Sequence, residues 1–359
     1  MELFNGSPAF LELISCPAYS VKNGLVENAN SSAQHLLITP GTPADALVET
    51  GMEDYNSMTE NSCLSLTIQA GGKRFCAFVS RRAEEDLFLL DQEEDDQIHT
   101  SLFLASCALR NPLDRILGNI QNLRRMAEKL DPEILPYLNE ITKGSYQIHR
   151  LVANMSDTIP YAQEELRCQV ADIVGFLRET VEKAAALLEQ NSIQLTFRCE
   201  WEEMFVVFNQ EKLERAVHNL ILNAATYPTG QEQHRISVEL KRVKNSLHII
   251  VSDNGRGISD EIFSSLFYRY RRKPTLENCR YGIGLGLPLV RAVAAAHGGT
   301  VLLERLSPTG TRATMTMQIL VPTEQLLRAP RFRMDYAGEF DHALVELSDV
   351  IPAKNYEMI

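Results

Sequence analysis

The stretch "HNLILNAATY", residues 218–227, carries the pattern on which the fold turns. Leu220 and Ala224, with Leu213 and Val217 before them, recur at helical spacing and give one apolar stripe. Asn219 and Asn223 are four apart and share another face. Two carboxamides one turn apart can ligate a hard cation and hydrogen-bond phosphate without the repulsion that paired carboxylates would bring. Surface or capping asparagines would look the same, so the stretch needs companions before it carries chemistry.

Two companions follow in order. "DNGRGI" (253–258) comes directly after the strand-like run "LHIIVS". A carboxylate at a strand end, here Asp253, can accept a hydrogen bond from an exocyclic amine, and Gly255 and Gly257 allow backbone to approach a flat ring. A surface turn is the plainer alternative. In "YGIGLGLPLVRAV" (281–293), Gly282, Gly284 and Gly286 precede a helix, where free amide N–H groups and the helix dipole favour phosphate. A glycine-rich loop without a ligand is the plainer alternative there. Around them, helical stretches ("DIVGFLRETVEKAAALLEQ", "EKLERAVHNLILNAA", "LPLVRAVAAAHG") alternate with strand-like runs ("IQLTFRCE", "RISVELKRV", "TVLLERL", "TRATMTMQIL"). That alternation predicts a two-layer α/β sandwich over residues 161–322.

Taken together, the three stretches resemble the N, G1 and G2 boxes of the histidine-kinase branch of the GHKL ATP-binding fold. "FSSLFYRY" (263–270) resembles the F box, and "GTRATMTM" (310–317) resembles the closing strand. The resemblance covers about residues 90–322. It implies ATP and Mg²⁺ as cofactors, with Asn219 and Asn223 holding Mg²⁺ and phosphates and Asp253 reading the adenine amine. Gly255 and Gly257 would line the adenine, Tyr227 would line the pocket, and Gly282, Gly284 and Gly286 would form the lid hinge. Thr226 departs from the pattern, because many relatives carry a basic phosphate-binding residue there. Arg271, Arg272 and Lys273 are either a compensation or ordinary solvated charges.

Residues 91–160 have a different period. Leu102, Leu109, Ile116, Leu123 and Leu130 repeat every seven residues, with Leu113, Ile120 and Ala127 between them. After the break at Asp131-Pro132-Glu133 the pattern resumes at Ile134, Leu138, Ile141, Ser145, Ile148, Val152, Met155 and Ile159. Two helices with such seams predict an antiparallel hairpin, and pairing of two hairpins into a four-helix bundle predicts a homodimer.

The first of these helices contains "SCALRNPL" (106–113), where the resembling family reads S-H-E-L-R-T-P-L. Leu109, Arg110, Pro112 and Leu113 match. Cys107 stands where the phosphoacceptor His is expected, and Ala108 replaces the neighbouring acid. Cys107 is expected to be partly buried and inert rather than a nucleophile, since no basic neighbour other than Arg110 is at hand to favour its thiolate. His149, just off the second seam, is expected as a solvated polar residue. Asn111 lies where relatives carry a residue that orients water for dephosphorylating a response regulator, or is a plain helix-surface Asn.

Residues 1–90 mix short apolar runs with turn signals, among them Asn23-Gly24 and Gly71-Gly72, and are similar to a PAS-type sensor domain. Residues 323–359 form a polar tail with one apolar patch, "ALVELSDVI", expected to dock as a helix. The fold class is therefore multidomain α+β: a PAS-like domain, a helical hairpin forming a dimeric bundle, and an α/β sandwich.

A formal net charge of −12 argues against a nucleic-acid partner, which needs a basic face. Seven scattered cysteines, never as CxxC, fit neither zinc nor a disulfide framework and suit a reducing cytoplasm. The opening residues lack a signal peptide's pattern, and no apolar run reaches the roughly 18 residues of a membrane span. The expected function is a cytoplasmic histidine-kinase-like signalling protein that binds ATP-Mg but lacks its own phosphoacceptor. It would act with itself or a related kinase subunit and with a response-regulator receiver domain. The alternatives are a response-regulator phosphatase using Asn111 and a non-enzymatic ATP-binding scaffold.

Overall fold

A computed structural model of the chain describes residues 8–14, 16–82, 85–91, 96–126, 132–157, 168–230, 233–258, 286–320 and 341–358. Six strands open the chain: β1 (Ala18–Lys22), β2 (Leu25–Ala29), β3 (Val48–Thr50), β4 (Ser62–Ala70), β5 (Lys73–Arg82) and β6 (Glu85–Asp91). They form an antiparallel sheet flanked by the short helices α1 (Pro8–Leu11), α2 (Ser31–Gln34) and α3 (Met52–Ser57). Both two-residue turns have positive φ at each residue, 52° and 77° at Asn23-Gly24 and 55° and 75° at Gly71-Gly72. This is the conformation that matches the strand twist and that Asn-Gly and Gly-Gly adopt cheaply.

Two long helices follow, α4 (Asp96–Arg125) and α5 (Leu135–Asp157), packed on each other. Their run is antiparallel: Arg124, at the end of α4, donates to Asn139 Oδ1 and Thr142 Oγ1 early in α5, at 2.9 and 3.0 Å. The two heptad lines divide the work. Leu113 and Ile120, joined by Leu117, are buried, as are Leu138, Ser145 and Val152 opposite. Leu109, Ile116 and Leu123 on α4 remain 46%, 48% and 44% exposed, and Ile134, Ile141 and Ile148 on α5 remain 39%, 51% and 49% exposed. One line closes the hairpin while the other leaves an apolar ridge on its outside.

The third part has helices α6 (Ile173–Glu189), α7 (Gln210–Thr226) and α8 (Gly286–Ala296). They cover strands β8 (Ile193–Cys199), β10 (His234–Val243), β11 (Ser246–Asp253), β12 (Val301–Arg305) and β13 (Thr311–Gln318). Strands β7 (Gln169–Asp172) and β9 (Phe205–Phe208) pair separately. Strand order is β12-β13-β11-β10-β8, antiparallel except for β10 beside β8. Asp172 caps α6 by accepting from the Val174 and Gly175 amides at 3.1 and 3.0 Å. A cap of this kind is worth about 1 kcal/mol.

The two sheets are one. The outer edge of β12 pairs antiparallel with β4, Val301 opposite Ser65 and Glu304 opposite Ser62, giving an eleven-stranded sheet. Val301 and Leu303 enter the core beneath the helices, whereas Leu302 packs against the amino-terminal core around Tyr19 and Phe88. Helix α3 reinforces the joint, with Asp54 accepting from Thr300 and Thr316 and Glu53 paired with Lys244.

The last segment holds helix α9 (His342–Glu346) and a 3-10 turn at Ala353–Met358. Asp341 caps α9 through the Ala343 and Leu344 amides. The segment lies against α5, α6 and α7, with Tyr356 edge-on to Tyr146 at 5.5 Å and Asp349 paired with Arg150. No helix among the described residues is long and apolar enough to cross a membrane.

Candidate functional site

Helix α7 and strand β11 end side by side. The Arg256 amide donates to the Tyr227 carbonyl at 3.0 Å, and Arg256 Nε donates to the Pro228 carbonyl at 3.1 Å. Between them, the Gly255 amide donates to Asp253 Oδ1 at 2.7 Å. A Cβ on Gly255 would sit 2.5 Å from the Tyr227 carbonyl oxygen, so the turn closes only with glycine. Gly310, at φ 111°, is under the same restriction, since its Cβ would come within 2.2 Å of the Asp253 carbonyl oxygen. Gly257 lies beside Gly310.

The Asp253 carboxyl is half-buried, and burial pushes its pKa above the ordinary aspartate value. Hydrogen bonds from the Gly255 and Thr311 amides and the proximity of His234 oppose that rise. His234 Nε2 is itself 2.7 Å from the Ala224 carbonyl, which ties β10 to α7.

Gly286 opens α8 against α7. A Cβ on Gly286 would lie 2.8 Å from Asn219 Oδ1, so the helix opening and the carboxamide are in contact. The expected Asn pair is unequal: Asn219 is 2% exposed, whereas Asn223, one turn on, faces solvent. The Thr226 hydroxyl donates to the Leu222 carbonyl at 2.6 Å, and Tyr227 is exposed at the rim. Gly282 and Gly284, the 263–270 stretch, Arg271, Arg272 and Lys273 lie outside the described residues.

Helix α7 is buried on nearly every side, not along a single stripe. Asn209 caps it through the Lys212 amide at 2.9 Å, and the Asn209 amide donates to His297 Nε2 at 3.1 Å. His297 Nδ1 is 2.8 Å from the Val293 carbonyl, so the ring is neutral with its proton on Nδ1, and burial lowers its pKa. Arg215 and Glu346 form an ion pair at 3.0 Å, 2% and 1% exposed. Arg215 also reaches Asn154 Oδ1 on α5 at 2.6 Å. His342 Nδ1 lies 2.9 Å from Glu214. His218 is fully buried, its pKa lowered by desolvation, with no hydrogen-bond partner for either ring nitrogen among the described residues. Single-stripe reasoning gave no weight to Arg215, His218 and Glu346. The available signal was a charge flanked by apolar residues on both sides, as in "ALVELSDVI".

Two expectations on the hairpin are corrected. Cys107 is exposed, not partly buried, because Ser106 takes the inward position at 0% exposure. His149 is buried, not solvated, because the last segment packs on α5 and the Arg215 side chain of α7 reaches the same helix, and desolvation lowers its pKa. Ala108 and Asn111 are exposed on α4.

The residues that meet here fit a nucleotide. A half-buried carboxyl with a raised pKa suits a donor amine, and three glycines keep the floor free of side chains. Residues 208–321 match the family model described as "Histidine kinase-, DNA gyrase B-, and HSP90-like ATPase". The chain carries a GHKL-type ATPase domain, and the relatives it is similar to are sensor histidine kinases. Histidine protein kinase DivJ of Caulobacter vibrioides is 30% identical over 227 residues, 61% of this chain and 37% of that protein. Histidine kinase P4 of Formosa agariphila is 28% identical over 226 residues, 61% of this chain and 16% of that protein. The chain thus spans well under half the length of these relatives. Among solved structures, full-length ShkA in complex with AMPPNP aligns with 62% of this chain and 47% of its own, at 20% identity and TM-score 0.49.

Proposed function

We propose that this site binds ATP with Mg²⁺ and that the chain acts in two-component signalling as a histidine-kinase-like protein without a phosphoacceptor of its own. The observation that carries the proposal is that three separate stretches are gathered along α7, with Asp253 and Gly255 beside Tyr227 at its end and Gly286 against Asn219 two turns earlier. Asp253 accepts the adenine amine. Asn219 and Asn223 face the phosphates and the metal, and amides at the opening of α8 face phosphate oxygens. When bound, Mg²⁺ supplies neutralisation of the phosphate charge.

Cys107 and Ala108 occupy the exposed turn of α4 on which a phosphoacceptor would stand, so phosphoryl transfer requires a His on a partner subunit. The apolar ridge of Leu109, Ile116, Leu123, Ile134, Ile141 and Ile148 supports a homodimer or a pairing with a related subunit. A reducing cytoplasm suits the six described cysteines, none of which forms a disulfide among the described residues. A second reading rests on Asn111, exposed one turn after Cys107, where it could orient water on a phosphorylated receiver domain. Calorimetry of the full chain with ATP, with and without Mg²⁺, tests the first element. Incubation with γ-labelled ATP, alone and with kinase or receiver partners, tests transfer. No ATP binding at millimolar nucleotide refutes the proposal.

A further inference from the structure

The Asn219 carboxamide has its orientation imposed on it. Its Nδ2 donates to the Arg215 carbonyl one turn back, at 2.9 Å, and is 3.5 Å from Glu346 Oε2. A carbonyl and a carboxylate offer only acceptors, so the NH₂ end must face them and the oxygen must face Gly286. The second of these acceptors comes from the carboxy-terminal segment, not from the ATPase domain. Glu346 is in turn fixed by Arg215 Nε at 3.0 Å, and Arg215 is held by Asn154 Oδ1 and the Ala153 carbonyl of α5. Hairpin, α7 and tail therefore meet at one buried point directly beneath the residue expected to hold the metal.

We propose that Glu346 is a positioning residue of the nucleotide site, holding the Asn219 carboxamide with its oxygen turned toward the opening of α8. The inference rests on the nucleotide reading above and extends it: the phosphate end of the site is completed by a segment outside the ATPase domain. Without Glu346, Nδ2 keeps only the Arg215 carbonyl, and the amide is free to flip and present a donor to the cation. The adenine end is built by other residues, Asp253 and Gly255, and should be unaffected.

The test uses the full chain. Glu346→Gln should weaken Mg-ATP binding roughly 10-fold, the lower end for loss of an outer hydrogen-bond partner of a metal ligand. Adenosine affinity should stay unchanged. In the protein without nucleotide, the Asn219 side-chain amide resonance should shift. Because a lone Glu346 variant takes a counter-charge away from buried Arg215, the double variant Arg215→Met, Glu346→Leu is the control for folding. It should recover the wild-type melting temperature and still bind Mg-ATP weakly. Recovery of ATP affinity together with stability in the double variant would overturn the proposal, since Glu346 would then be only a structural clamp. So would an equal loss for ATP and adenosine, or an unmoved Asn219 resonance. A wild-type chain that binds adenosine but gains nothing from phosphates and Mg²⁺ would instead overturn the assignment of Asn219, a separate failure.

Discussion

Replacing Asp253 by Asn keeps the side chain's shape and removes its charge, and the surroundings fix what each change does. Oδ1 already accepts the Gly255 amide at 2.7 Å, and the Thr311 amide is a second backbone donor. An Asn has one oxygen to offer, so satisfying Gly255 turns its NH₂ toward Thr311 and the adenine amine, donor against donor. Losing a hydrogen bond to a charged acceptor costs about 1.5–3 kcal/mol, or roughly 10- to 150-fold in the dissociation constant. Stability should move the other way. Burial raises the Asp253 pKa, so the ionised carboxylate is less favourable in the fold than in the unfolded chain, and a neutral amide removes that penalty. The expected outcome is weaker ATP binding by calorimetry with a melting temperature level or higher. On acidification, wild-type affinity should begin to fall at a pH above the ordinary aspartate value of 3.8, and the variant should not show that decline. Equal ATP affinity in the variant, or affinity and melting temperature falling together, would refute the reasoning.

Ile116→Lys with Ile148→Lys places charges on the exposed ridge and should give folded monomers by analytical ultracentrifugation, whereas Ile120→Lys, inside the hairpin at 5% exposure, should unfold it. Stability should fall as pH drops below 6.5, because His149, His218, His248 and His297 are all held neutral by burial while the unfolded chain takes up protons. His218→Leu should lessen that fall and leave neutral-pH stability equal or higher by about 1 kcal/mol, since no imidazole is left buried without partners; thermal melts from pH 5 to 8 check both. Cys107→His with Ala108→Glu restores the acceptor on an exposed turn and should yield acid-labile phosphate from ATP where the wild type yields none.

Local patterns were legible where one physical cause decided them. Asn23-Gly24 and Gly71-Gly72 specify their turns because few other residues tolerate two successive positive φ angles. The heptad in residues 102–155 specifies two helices, but periodicity cannot say which line packs within the chain. That depends on what else covers each face. The burial of His149 is illegible for the same reason, since the cover of α5 comes from residues about 200 positions later along the chain. At the site, Gly255 and Gly286 follow from close backbone approach, while the difference between Asn219 and Asn223 arises from the packing of α8 and the tail. The Arg215–Glu346 pair joins residues 131 apart, a separation over which no spacing rule operates.

Pairing of β4 with β12 bears on how the ATPase domain behaves when cut out of the chain. A fragment beginning near residue 161 loses β4 and leaves Val301–Arg305 with a row of unpaired amides and carbonyls along one side. It also uncovers Leu302, whose apolar surroundings belong to the removed part. Such a bare strand is a template for another copy, so the excised domain should associate through this edge in a concentration-dependent way, a contact that β4 blocks in the whole chain. Fragment boundaries drawn by homology alone would manufacture that stickiness, and a Lys at position 302 is the simplest way to blunt it.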